Sequence, residues 1–195
     1  MARLQLVCAS ANPDKVIEIE AILEGVVNLL PRPPGVPDVV EDADTLIGNA
    51  RLKAAAICAA ANLPAVSDDT GLFVDALGGA PGVYAARFAG PEATYADNRA
   101  KLLDALEGSD DRRASFVSAV VVMWPDGREI AVEGVCQGTI AASELGDRGF
   151  GYDPIFVPDD GGGRSFSQMS DSEKNQISHR ARALHALLKA LTPWY

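Results

Sequence analysis

The chain has 195 residues, of which 48% are hydrophobic and 23% are charged, and its formal net charge is -10. This composition is typical of a globular protein and argues against disorder. The acidic balance disfavours non-specific nucleic-acid binding, because neutralising a phosphate backbone needs clustered Lys and Arg. It leaves room for a small anionic ligand that a few local cations hold.

The first half of the chain alternates strand and helix patterns. In order, it predicts a buried strand at 3–9, an amphipathic helix at 14–24, a proline-rich loop at 30–44, a helix at 46–61 capped by Thr45, and a short strand at 65–67. "GGAPG" at 78–82 then predicts a turn in which Pro81 begins a helix.

The second half adds a hairpin and ends in helix. It predicts a helix at 95–107 capped by Thr94, two strands in "SFVSAVVVMW" and "EIAVEGVCQGTIA" joined by "PDGR", a glycine-aromatic loop at 148–158 entering a strand, and a helical region from Ser170 to about 191. Early alternation and a central hairpin predict an α/β fold with a mixed sheet, in one domain without a linker.

Cysteine usage and hydropathy indicate the compartment. Cys8, Cys58 and Cys136 lie far apart in apolar runs without CxxC spacing, which is typical of small buried side chains in a reducing environment. No apolar stretch reaches the roughly 18 residues of a membrane span, and the first residues do not resemble a signal peptide. The sequence therefore predicts a soluble cytoplasmic protein with no membrane partner.

The segment "SANPDK" at 10–15 follows the first predicted strand and begins the first predicted helix. Ligands bind at such strand ends in α/β sheets, and a helix N-terminus favours anions. Ser10 and Asn12 can donate hydrogen bonds and Lys15 adds a charge, so the loop is a candidate phosphate site. The alternative is an ordinary turn with Lys15 in solvent.

The segment "SDDTG" at 67–71 places two adjacent carboxylates, Asp68 and Asp69, after a predicted strand. On an extended backbone they face opposite ways, so at most one of them easily serves a given site. An Asp here suits a Mg²⁺ ligand or a general base, and Thr70 offers a hydroxyl. The alternative is an Asx turn with both carboxylates solvated.

A second carboxylate for a hard cation has its best source in the acidic run at 41–44. Glu41 follows an apolar pair, which suggests the end of a strand, whereas Asp42 and Asp44 fit a solvated loop. On the next predicted helix, Asn49 and Lys53 are spaced i, i+4 on one face with apolar residues. Lys53 there either extends to solvent or pairs with an anion such as phosphate.

The C-terminal helical pattern carries an inward-facing arginine. Arg180 lies one turn before Leu184 on a leucine stripe, where a buried charge needs a partner. That partner is either a structural ion pair or a ligand carbonyl or phosphate. Neighbouring His179 can donate from a ring nitrogen, and Lys174 occupies a first helical turn, where a cation is locally unfavourable.

Phe150 stands between two glycines in "GFGYD" at 149–153. An exposed aromatic there can stack on a nucleobase, whereas the alternative is a buried ring in a glycine turn. The sequence contains no HExxH, GxSxG or Ser-His-Asp pattern that would support covalent catalysis. Together these signals predict a site that neutralises a polyphosphate, holds a divalent metal, activates water and binds a nucleobase.

Five segments occur in the order found in one known family and span nearly the whole chain: "SANPDK", "NARLKA", "SDDTGLFVDALGGAPGVYAARFAG", "GFGYDPIF" and "EKNQISHRARAL". On these motifs the chain resembles the nucleoside-triphosphate pyrophosphatases of the inosine triphosphatase type. The resemblance implies Mg²⁺-dependent hydrolysis of ITP, dITP and XTP to a nucleoside monophosphate and pyrophosphate, which cleanses the nucleotide pool. It also implies an elongated α/β fold with a central cleft between two lobes, usually in a homodimer.

The resemblance further implies roles for individual residues. Asp69 would be the general base for the attacking water and, with Glu41, a ligand of Mg²⁺. Ser10, Asn12 and Lys15 would bind the triphosphate, Lys53 would contact phosphate, and the Thr70 hydroxyl would contact substrate. The base site would be formed by Phe150, Gly151, Tyr152 and Asp153, and the 6-keto edge of the purine would be read by Lys174, His179 and Arg180.

Two features depart from the family pattern. Gly48 stands where a glutamate is common, and the acidic loop aligns loosely, so Glu41 and Asp42 are alternative second metal ligands. Two other functions stay open: a pyrophosphatase for other modified nucleotides, and a nucleotide-binding regulatory module without turnover.

Overall fold

The computed structural model describes residues 3–192. Its strands are β1 Leu4–Cys8, β2 Val27–Leu30, β3 Ala65–Val74, β4 Pro81–Gly82, β5 Arg113–Met123, β6 Glu129–Ile140 and β7 Phe156–Pro158. Its α-helices are α1 Pro13–Leu23, α2 Leu46–Ala61, α3 Tyr95–Ala105, α4 Asp171–Ile177 and α5 His179–Leu191. Short 3₁₀ turns lie at Asp75–Leu77, Ala85–Arg87, Asp159–Gly161 and Phe166–Gln168.

The strands form one open sheet in the order β2-β1-β3-β5-β6-β7, with β4 paired to β3. β1 pairs in parallel with β2 and with β3, whereas β4 and β7 pair antiparallel with their neighbours. The predicted α/β fold with a mixed sheet is therefore confirmed. Parallel pairing of β1 and β3 brings the carboxyl end of β1 beside the first residues of β3, just before its two aspartates.

Side-chain caps fix where the helices begin. Asn12 Oδ1 accepts from the backbone N–H groups of Asp14 and Lys15 at the start of α1, at 2.9 and 3.4 Å. Thr45 Oγ1 accepts from the Gly48 N–H at the start of α2. Capping boxes open α3 at Thr94 and α4 at Ser170. These bonds satisfy N–H groups that the first helical turn leaves without a partner, which explains why the predicted starts are close to the observed ones.

The chain divides into two compact units. The first contains the residues up to Asp69, 118–134 and those from Arg180 onward; the second contains 70–117 and 135–179. In the first unit, apolar residues of β1, α1, β5 and α5 form the main core: Leu6, Cys8, Ile19, Leu23, Val120, Val122, Leu184, Leu187 and Leu191. In the second, the core centres on aromatic rings, with the Phe116 and Phe156 centroids 4.7 Å apart.

Four local predictions were wrong or incomplete. Val27–Leu30 forms a strand that was not predicted, and β3 continues through "SDDTG" to Val74 instead of ending at residue 67. Pro81 lies in strand β4, not at a helix start. The C-terminal helical region is interrupted at Ser178, whose backbone is extended (φ -67, ψ 158), so α4 and α5 are separate helices.

Gly71 allows the polar strand β3 to continue beside β4. A Cβ atom at this position would lie 2.8 Å from the carbonyl oxygen of Gly82, closer than packed atoms approach. The close pairing of β3 and β4 therefore depends on a residue without a side chain. The cysteines are all buried, as predicted. Between residues 3 and 192, no helix combines the length and apolar character of a membrane span.

Candidate active site

The two carboxylates of β3 contact different cations. Asp68 and Asp69 are both buried, and Asp68 Oδ2 lies 3.1 Å from Lys15 Nζ. Asp69 Oδ1 instead accepts a hydrogen bond from Lys53 Nζ at 2.8 Å. Consecutive side chains of a strand point to opposite faces, so neighbours in sequence enter two separate charge clusters.

Asp68 belongs to a buried ionic network. Arg180 is 1% exposed; its Nε donates to Asp68 at 3.0 Å and its Nη1 donates to Glu18 of α1. Burial alone would raise the pKa of Asp68, but Lys15 and Arg180 outweigh it and hold that pKa well below its usual range. The same network raises the pKa of Arg180 through Asp68 and Glu18 despite its burial. Asp68 is therefore held ionised between two cations.

Lys15 completes this network at the first turn of α1. Burial lowers the pKa of its ammonium group, and the attraction of Asp68 opposes that shift. In the same loop, Ser10 Oγ accepts from the Asn12 N–H at 3.2 Å, and Asn12 caps the helix. The "SANPDK" segment thus brings a helix N-terminus and a lysine together at the carboxyl end of β1, an arrangement that favours an anion.

Asp69 belongs to a second cluster with Lys53, Glu41 and Asn49. Lys53 Nζ contacts Glu41 Oε1 at 3.2 Å as well as Asp69. Asn49 is fully buried; its Nδ2 donates weakly to Asp69 at 3.4 Å, and its Oδ1 accepts from the Ala43 N–H at 3.0 Å. One side chain therefore ties the acidic loop to β3, and Asn49 and Lys53 share a helix face as their spacing predicts.

Burial raises the pKa of the Asp69 carboxyl group, and Lys53 only partly offsets this. Burial would lower the pKa of Lys53, but Asp69, Asp68 and Glu41 reverse that effect and raise it. Lys53 therefore stays charged beside a carboxylate that is a stronger proton acceptor than an ordinary aspartate.

Glu41 and Asp69 fit a hard divalent cation. Both carboxylates contact the same ammonium group, so their oxygens face a common cation position. Among residues 3–192, no group of three or more His, Cys, Asp or Glu side chains is arranged to hold a metal. Two carboxylates suit Mg²⁺, which keeps several waters and binds phosphate oxygens. Asp42 and Asp44 are exposed.

The aromatic loop, residues 149–153, lies in the second unit and is organised by Asp153. Asp153 Oδ2 accepts from the Phe150 N–H at 2.9 Å and from Lys174 Nζ at 2.5 Å. Lys174 Nζ also lies 4.7 Å from the centre of the half-buried Phe150 ring. In the structure Lys174 lies in the last turn of the short helix α4, where a cation is favoured, so the prediction that it occupies an unfavourable first turn was wrong. Gly149 has a positive φ (+71), and a Cβ there would meet Asp153 Oδ2 at 2.2 Å.

Tyr152 and His179 are packed inside the second unit. The Tyr152 hydroxyl donates to the Ala85 carbonyl at 2.8 Å, and the His179 ring stacks on Phe116 with centroids 4.4 Å apart. Thr70 and Gly151 are half-buried. The predicted site residues thus group as Ser10, Asn12, Lys15, Glu41, Lys53, Asp69 and Arg180 in the first unit, and Thr70, Phe150, Gly151, Tyr152, Asp153, Lys174 and His179 in the second.

Two residues of these clusters were not predicted. Glu18 binds Arg180, and its i, i+3 spacing from Lys15 is a signal that both lie on one face of α1. Arg99 of α3 donates from Nη1 to the Gly151 carbonyl at 2.8 Å. No local pattern marks Arg99, because its partner lies 52 residues further along the chain.

The structure is that of an α/β protein with charged clusters around Asp68 and Asp69 in its first unit and an aromatic loop in its second. The Ham1 family model matches residues 6–190, so the chain belongs to the Ham1 family.

Individual relatives cover almost the whole chain. It is 46% identical over 190 residues to the dITP/XTP pyrophosphatase of Caulobacter vibrioides, a match that covers 96% of this chain and 97% of the relative. Its structure resembles that of a HAM1 protein from Coxiella burnetii, with a TM-score of 0.88, 39% identity and coverage of 97% and 99% of the two chains. It also resembles the structure of the Staphylococcus aureus Ham1 protein, with a TM-score of 0.87, 36% identity and coverage of 98% of this chain and 100% of the other.

Proposed function

We propose that the protein is a nucleoside-triphosphate pyrophosphatase that hydrolyses the non-standard purine nucleotides ITP, dITP and XTP to a monophosphate and pyrophosphate. The observation that carries this proposal is the buried Asp69, whose pKa is raised and which shares Lys53 with Glu41. The name of the Caulobacter relative, a dITP/XTP pyrophosphatase, supports dITP and XTP among these substrates.

The reaction needs a water molecule aligned with a phosphorus atom and a base that removes its proton. Asp69 accepts that proton, and Lys53 beside it neutralises charge on the phosphates. Lys15, with Ser10 and Asn12 at the start of α1, binds the triphosphate. Phosphoryl chemistry requires positioning and charge neutralisation more than a covalent nucleophile, which suits this set of side chains.

Mg²⁺ would be held by Glu41 and Asp69, and when bound it would neutralise negative charge on the phosphate oxygens. Both ligands are carboxylates, and both lie within 3.2 Å of Lys53 Nζ, which occupies the position of positive charge between them. Thr70 follows Asp69 directly and contributes its hydroxyl to substrate. Glu41 is the second ligand rather than Asp42, because Asp42 is exposed.

Replacing Glu41 with Gln is expected to weaken divalent-metal binding by about tenfold or more, since the neutral amide is a poorer ligand for a hard cation. The measurement is the affinity for Mn²⁺, by electron paramagnetic resonance, in the presence of pyrophosphate. Asp42→Asn is the matched control and is expected to bind Mn²⁺ as the wild type does. A larger loss in Asp42→Asn than in Glu41→Gln would move the ligand to Asp42.

The base site is proposed in the aromatic loop. Phe150 stacks on the purine, and Gly151, Tyr152 and Asp153 shape the surface around it. Lys174 and His179 are proposed to read the 6-keto edge, the feature that ITP and XTP carry and ATP lacks, whereas Arg180, predicted for the same role, is bound to Asp68 and Glu18 in the first unit. Lysine has three N–H donors, so Lys174 can contact both the Asp153 carboxylate and a keto oxygen. Donors aimed at a keto oxygen disfavour a 6-amino group.

A substrate panel tests the function. Pyrophosphate release is measured from ITP, dITP, XTP, ATP and GTP, with and without Mg²⁺. We expect strong Mg²⁺-dependent turnover of the first three and weak turnover of ATP and GTP. Equal turnover of all five would contradict the selective base site, and turnover confined to other modified nucleotides would favour a related pyrophosphatase. Binding of ITP without turnover would indicate a regulatory module.

The assembly and the compartment belong to the same proposal. A homodimer in the cytoplasm is expected, and light scattering of the purified protein should then give twice the mass of one chain.

A further inference from the structure

Helix α3 contacts the aromatic loop through two side chains one turn apart. The Tyr95 ring lies 6.1 Å from the Phe150 ring, centroid to centroid. Arg99 donates from Nη1 to the Gly151 carbonyl at 2.8 Å. Residues four apart lie on the same helix face, so one face of α3 meets the loop at two successive residues.

Arg99 is itself held in place. Its Nε donates to Glu144 Oε1 at 2.7 Å and its Nη2 to Oε2 at 3.4 Å, while only 14% of its side chain is exposed. A two-point contact of this kind fixes the plane of the guanidinium group, which a single contact would not do. The Nη1 donor is therefore directed at Gly151 by a clamped side chain, and the contact is a fixed feature of the second unit.

The Gly151 carbonyl is where Arg99 contacts the backbone of the aromatic loop. Gly151 has a positive φ (+60), and glycine has the widest choice of backbone conformations. On one side of Gly151, the N–H of Phe150 donates to Asp153 Oδ2 at 2.9 Å. On the other side, the Gly151 carbonyl accepts from Arg99. Of the two glycines that flank Phe150, Gly151 therefore has its carbonyl held by Arg99.

We propose that Arg99 is a positioning residue for the nucleobase site: by fixing the Gly151 carbonyl it sets the orientation of Phe150 and thereby the preference among bases. The proposal rests on the proposed function, because it assumes that Phe150 stacks on the base. Arg99 acts through the loop and does not touch substrate. Glu144 has a secondary role, since it orients Arg99 without contacting the loop residue itself.

The test compares Arg99→Leu with Arg113→Leu. Arg113 forms a two-point ion pair with Asp159 on strand β5, so its loss removes an arginine–carboxylate pair that does not involve the loop and is more exposed than that of Arg99. For Arg99→Leu we expect KM for ITP to rise about tenfold with kcat within about twofold, and the ratio of kcat/KM for ITP over GTP to fall. Arg113→Leu should leave the KM for ITP and the ITP-over-GTP ratio unchanged.

A binding measurement and a conservative variant complete the design. The affinity for inosine monophosphate, measured by calorimetry, should fall in Arg99→Leu by the same factor as KM rises. Arg99→Lys keeps one donor for Gly151 but loses the two-point contact with Glu144, so it should recover part of the affinity.

Three results would overturn the proposal. One is an Arg99→Leu variant with the KM, selectivity and inosine monophosphate affinity of Arg113→Leu. Another is a uniform loss of kcat, affinity and thermal stability that Arg99→Lys does not relieve, which would make the residue merely structural. The third is a wild type that binds inosine monophosphate and an Arg99→Leu variant that binds it equally. A wild type that binds this nucleotide but hydrolyses none of the triphosphates would contradict the proposed function while leaving the binding comparison in force.

Discussion

Asp69→Asn is expected to lower kcat for pyrophosphate release from ITP by about 10³-fold, within the usual contribution of a general base. The amide retains the size of the side chain but removes its negative charge and its ability to accept a proton from water. It also removes one of the two carboxylates that would bind Mg²⁺. Because Asn can still accept from Lys53, the packing around β3 should be preserved.

The measurement is pyrophosphate release at saturating ITP and Mg²⁺, with circular dichroism to verify the fold. Asp44→Asn is the matched control, because Asp44 is an exposed carboxylate in the neighbouring acidic loop. It should leave kcat unchanged. If the Asp69→Asn variant kept kcat within about tenfold of the wild type, the general base would have to be another residue.

Arg180→Leu is expected to destabilise the protein by about 3 to 5 kcal/mol, the usual effect of breaking a buried ion pair by removing one partner. Arg180 is 1% exposed and contacts both Asp68 and Glu18. Its loss leaves two carboxylates buried without the guanidinium group, although Lys15 still contacts Asp68. Leucine fills much of the space but offers no hydrogen bond.

Urea denaturation gives the free energy of unfolding for this comparison. The control is Arg113→Leu, whose ion pair with Asp159 is about half-exposed on both sides and should contribute about 0 to 1 kcal/mol. Adding Glu18→Gln to Arg180→Leu should recover part of the loss, because it removes one of the two carboxylates that lose the guanidinium group. Equal destabilisation by Arg180→Leu and Arg113→Leu would show that the network contributes little to stability.

Local chemistry explains which elements the sequence predicts well. Helix α2 runs over Leu46–Ala61 as predicted, because Thr45 provides its cap within three residues of the N–H group it satisfies. Strand β3 was predicted too short, since Ser, Asp and Thr are common turn residues. The two aspartates find cationic partners from other parts of the chain, and the strand continues through them.

Some features of the candidate site could also be predicted from the sequence and others could not. The family motifs indicate Asp69, Lys53 and Lys15, and alternation along an extended backbone predicts that the two aspartates face apart. The partner of Asp68 could not be predicted from any local pattern, because Arg180 lies 112 residues away. The bond from Arg99 to Gly151 has the same character. Such pairs depend on how distant segments pack, and hydrophobic periodicity carries no information about them.

The alternation of β3 makes the two aspartates mutually irreplaceable despite their identical chemistry. Loss of a single codon ahead of Asp68 within the strand would shift the register by one and send each following side chain to the other face. Asp69 would then occupy the present position of Asp68 and face Lys15, and Thr70 would occupy the present position of Asp69 and face Lys53. The second aspartate of the pair therefore cannot compensate for a mutation of the first, or the first for a mutation of the second, because each contacts a different lysine.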